Sequence, residues 1–130
     1  MRLQGHMLEP IVEFINELEL TLADSIVRDN FLNSISDVLI EYQTDKEKLF
    51  REYLQEGKQD GEDIVFEYKE GIDTKVFEKE YSKVLMQDYV FSVPIETKKK
   101  LVDLLLQSDT KLTGSKASIL IELIKQLKGQ

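Results

Sequence analysis

The chain has no cysteine and no tryptophan, and only one histidine and two prolines among 130 residues. Each shortage removes a class of explanation. Without cysteine there is neither a disulfide framework nor a thiolate metal site, so an apolar core alone must hold the domain together. With a single histidine, Ser-His-Asp catalysis and the Glu-x-x-His elements of di-iron bundles have almost nothing to draw on. That histidine lies in "MRLQGHM", where Gly5-His6-Met7 has the look of a cloning junction. Residues 1–7 are therefore read as a cloning remnant, and residues 8–130 as a single helical domain. No apolar run approaches the ~18 residues of a membrane span, and no secretory signal pattern opens the chain. A cytoplasmic location is expected.

What is present is a balanced globular composition, 42% hydrophobic and 32% charged. The formal charge of −8 is unevenly spread. Residues 8–56 hold 12 acids against 4 bases, residues 57–93 hold 9 against 5, and residues 94–130 hold 4 against 7. An acidic body with a basic end lacks the dense cationic face that phosphate neutralisation needs, so direct nucleic-acid binding is not expected.

Hydrophobic periodicity predicts a mostly all-α fold, a bundle of six or seven short helices. Leu8 to Leu22 reads as the first, and Asp24 to Tyr42 as the second. Asp45 to Glu56 reads as the third, opened by Thr44 and Glu47 at capping-box spacing. Gly57 to Gly61 reads as a loop. "DIVFEY" is read as a short helix, with a minor two-stranded pairing of residues 64–68 with 89–93 as the rival. Asp73 caps a helix running to Tyr89, Pro94 precedes another from Ile95 to Gln107, and Ser115 caps the last. That final helix places Ala117, Ile119, Leu120, Ile121, Leu123, Ile124 and Leu127 over an arc of roughly 200°, wider than the ~100° stripe of an ordinary surface helix. It is either the central helix of its domain or covered by another chain.

Chemistry is scarce. Glu9, Glu13 and Glu17 form a ladder at i, i+4 and i+8, but its spacing matches no carboxylate metal site, and a solvated face is the expected role. Ser82-Lys83 and Ser115-Lys116 are the nearest approach to a nucleophile with a base, and nothing distinguishes either pair. "GKQDG" lacks the ending of a phosphate loop. Lys98 to Lys100 fan over more than half a helical turn. As a recognition helix, the final segment is too apolar for a DNA groove.

The expected function is therefore non-catalytic, with no cofactor and no metal: a protein–protein interaction module, either an adaptor or a subunit of an assembly. The alternative is an acidic inhibitor or immunity protein covering a basic surface of a toxin or nuclease. The partner is another protein or a second copy, with acidic N-terminal regions meeting basic C-terminal ones, and not a membrane. Candidate partner-binding residues are Ile119 and Ile121 at the edges of the wide arc, and Glu9, Glu13 and Glu17.

Overall fold

From Leu22 to Tyr53 the sequence offers no glycine or proline, and its apolar phase never breaks. Val27, Phe31, Ile35, Val38, Tyr42 and Leu49 are all buried at three-, four- or seven-residue spacing. In the computed structural model, which describes residues 1–61 and 63–129, this stretch is one helix of 32 residues. At 1.5 Å per residue it is about 48 Å long, and it is the axis of the molecule. The two helices expected at 24–42 and 45–56 are thus one: Thr44 is exposed in mid-helix, and continuous burial outweighs its capping spacing. The true cap is Thr21, whose hydroxyl accepts from the Asp24 N–H at 3.2 Å.

The order is β1 (Arg2–Gln4), α1 (Gly5–Glu17), α2 (Leu22–Tyr53), β2 (Leu54–Asp60), β3 (Asp63–Tyr68), α3 (Thr74–Met86), β4 (Asp88–Val90), α4 (Ile95–Gln107) and α5 (Gly114–Leu127). Five helices among the described residues replace the six or seven expected. Helix α1 stops at Glu17, not Leu22, and its last carbonyls are taken up by a side chain. The Arg28 guanidinium donates to the Leu18 carbonyl at 2.6 Å, and reaches those of Ile15 and Asn16 at 3.4 Å. Because α1 begins at Gly5, Pro10 falls in its second turn and deprives the His6 carbonyl of its usual helical donor.

Residues 1–7, whatever their origin, are built into the packed domain. Strand β1 pairs antiparallel with β4, Leu3 opposite Tyr89, and Leu3 is 1% exposed. The "DIVFEY" segment is strand β3, a correction to the helix expected there; Glu62 lies outside the described residues. The rival pairing with 89–93 fails as well. β3 pairs with β2, which occupies the expected loop, in register Leu54 with Tyr68 and Glu56 with Phe66. Gly61, at φ 65°, makes the turn, and a tight turn brings neighbouring strands together at far less entropic cost than a distant pairing. Gly57 fits the irregular part of this ladder, because a Cβ there would meet the Val65 carbonyl oxygen at 2.8 Å.

The core lies among α1, α2, α4, α5 and the β1–β4 ladder, around Leu8, Ile11, Ile15, Phe31, Ile35, Tyr89, Leu101 and Leu123. Helix α3 carries no fully buried residue. Its Val84 and Leu85 pack half-buried against that core. The rest of its face packs through rings: Phe77 meets Tyr81 at 5.7 Å, Tyr53 at 5.6 Å and Tyr68 at 5.4 Å, while Phe50 stacks on Tyr81 at 5.4 Å. This half-exposed aromatic cluster roots the β2–β3 hairpin.

Candidate interaction surfaces

Three surfaces stand out. The first is the hairpin. All six residues of β3 are exposed, with Ile64 at 49% and Phe66 at 61%, and Val65 and Tyr68 besides. Alternation puts Ile64, Phe66 and Tyr68 on one face of the ribbon. Tyr68 is held by Phe77, and the Lys69 N–H donates to the Tyr53 carbonyl at 2.9 Å. The base is anchored while the outer apolar residues stand in water. Among the described residues β3 has no strand on its other edge, and an open apolar edge is a template for pairing with another chain. The surrounding stretch, residues 55–73, holds seven acids and two bases.

The second surface is an open groove of about 830 Å³ between the start of α4 and the end of α5. Ile95, Val102 and Leu127 give it an apolar lining, and Lys98, Lys99 and Lys128 surround it. Pro94 and the local start of α4 place Ile95 outward, 70% exposed. Leu106, further along α4, is also exposed.

The third is a groove of about 420 Å³ between α1 and the segment leading into α5. Here the structure brings together three residues singled out from sequence: Glu13, Glu17 and Ile119. Lys111 and Lys116 line the same groove, so it carries both signs of charge. Glu9 does not join them. Its carboxylate is bound by Lys46 at 2.7 Å, and the Lys46 ammonium lies 4.6 Å above the Tyr42 ring. Burial alone would lower the Lys46 pKa, but the hydrogen bond to Glu9 and the neighbouring Tyr42 and Tyr81 outweigh it and raise it. Ile121 is apart from the groove and is 53% exposed.

The wide arc of α5 is therefore covered on one side by α1 and on the other by α4. Leu120, Leu123 and Leu127 are buried, Ile119 and Ile124 are half-buried, and Ile121 is left over. Ser115 is the second residue of α5 and not its cap; that position is Thr113. Among the described residues, no three His, Asp or Glu side chains cluster as metal ligands would. No helix described is long and apolar enough to cross a membrane.

Sequence reasoning missed the hairpin. Its signal was the alternation of Ile64, Phe66 and Tyr68, and what pattern could not tell was that the fold would cover Tyr68 at the base and leave Ile64 and Phe66 exposed. Fold and surfaces together define a small α-helical protein with two antiparallel two-stranded ladders. Comparison with protein-family models, with curated proteins and with solved structures finds no match.

Proposed function

We propose that this protein is a non-catalytic protein-binding module, an adaptor or a subunit of a larger assembly, that engages protein through the β2–β3 hairpin. The observation that carries this reading is β3 itself: six consecutive exposed residues, four of them apolar or aromatic, on a strand that among the described residues pairs on one edge alone. Water solvates such a strand poorly, and its alternate apolar side chains are suited to filling pockets on a partner. The half-exposed ring cluster beneath it gives rigidity, so little ordering entropy is lost on docking.

The inhibitor reading has less support. Of its acidic ladder, Glu9 is spent on Lys46, while Glu13 and Glu17 share their groove with two lysines. A uniformly acidic face is what that role requires.

The test is a parallel affinity capture with wild type and Phe66→Ser, followed by binding of the purified captured protein to each. A partner bound by the wild type and released by Phe66→Ser supports the reading. Identical captures, with no purified protein distinguishing the two forms, refute it.

A further inference from the structure

We infer that the partner of the hairpin is a second copy of this chain, whose α4–α5 groove receives it; this rests on the hairpin being a binding element. The two surfaces are complementary in chemistry and sign. The hairpin offers Ile64 and Phe66 on one face, with the exposed Glu56 directly across the ladder from Phe66 and Asp63 at the turn beside them. The groove offers Ile95 and an apolar floor flanked by Lys98, Lys99 and Lys128, and among the described residues Asp103 is the single acid of its lining.

The other surfaces fit less well. Hairpin edge against hairpin edge, antiparallel about Val65, would set Asp63 of one copy against Glu67 of the other, and like charges opposed across strands are destabilising. The α1–α5 groove is about half the volume and lines itself with Glu13 and Glu17 as well as lysines, so it does not select an acidic guest. Charge also decides orientation over the whole chain, since residues 94–130 are the only third with more bases than acids. Ion pairs at the rim set register and encounter rate, while Phe66 and Ile64 supply most of the affinity.

Hairpin into groove is a heterologous contact, different surfaces meeting on the two copies. It propagates into a ring or a filament and does not stop at a two-fold dimer. That predicts light scattering that climbs with concentration past the dimer mass, and falls as salt screens the rim.

The experiment is charge reversal with complementation. The groove variant carries Lys98→Glu and Lys128→Glu; the hairpin variant carries Glu56→Lys and Asp63→Lys. Glu56, Asp63 and Lys128 are exposed and Lys98 is half-buried, and a cooperative melt checks folding of each variant. Each variant alone should be monomeric where the wild type associates, because its hairpin and groove now share a sign. Mixed one to one, they should associate again. Phe66→Ser, which leaves every charge in place, should weaken wild-type association by more than about tenfold, as loss of an aromatic anchor does. The inference is overturned by a wild type that stays monomeric at all concentrations, by either variant associating alone, or by a mixture that stays monomeric. A monomer that still binds a captured protein through Phe66 would sink this inference and leave the module reading standing. A monomer that binds nothing would sink both.

Discussion

Adding one methyl group at Gly5 should unsettle the junction of α1, α2 and α3. A Cβ built there would lie 2.6 Å from the Val84 carbonyl oxygen, and 2.7 and 2.8 Å from Tyr42 ring carbons. None of these is the free end of a flexible chain. Two escapes exist. Either α1 moves away and strains the bond from the Gly5 N–H to the Gln87 carbonyl at 2.9 Å, or Tyr42 turns and loses its edge contact with Tyr89 at 5.6 Å. Overpacking of this kind costs about 1–3 kcal/mol. Against it stands the gain from replacing glycine, about 0.4–1 kcal/mol when the backbone suits alanine. The net expectation for Gly5→Ala is a loss of about 1–2 kcal/mol. Gly114 is the matched control. It too opens a helix, α5, and nothing lies within 4 Å of the point where an alanine methyl would stand. Gly114→Ala should be neutral or stabilising by up to about 1 kcal/mol. Equilibrium urea unfolding reads both: with a slope of about 1–3 kcal/mol/M, the two midpoints should separate by roughly 1 M. Equal midpoints, or a Gly5→Ala variant more stable than wild type, would refute the packing argument.

Other substitutions probe other parts of the fold. Leu123→Ala, at a fully buried site on α5, should cost about 2–5 kcal/mol; Leu20→Ala, half-buried in the α1–α2 connection, should cost much less, and equal losses in urea melts would contradict the burial assigned to them. Tyr89 is held above the ordinary tyrosine pKa of 10.0, first by burial and then by its 2.8 Å hydrogen bond to the Asp45 carboxylate. A raised folded-state value means this contribution is complete below about pH 10 and is lost as pH rises beyond it. Alkaline melts should therefore fall less steeply for Tyr89→Phe, and parallel curves would exclude the linkage. Ile121→Glu should melt as cooperatively as wild type, because its side of α5 faces water; calorimetry showing an unfolded variant would mean that this side is covered.

Local pattern alone determined much of the helical framework. Pro94 and the apolar spacing after it delimit Ile95–Gln107 as observed, and the final helix forms where expected, with its cap two residues earlier at Thr113. These features are set by backbone chemistry and by neighbours three or four positions away. Tertiary structure decided whatever depended on distant residues. Thr44 carries a capping signal, yet the helix runs through it because Tyr42 and Leu49 are both buried on one continuous face. Ile64, Phe66 and Tyr68 alternate as a strand does, but alternation names no partner, and the turn at Gly61 gave them β2 instead of residues 89–93. The three glutamates share a helix face in sequence; only packing against α2 could give one of them to Lys46 and leave two beside a groove. Apolar residues look alike along a chain whether water or protein covers them, because burial depends on what the rest of the fold brings near. Thus Leu3 went to the core and Phe66 to the surface.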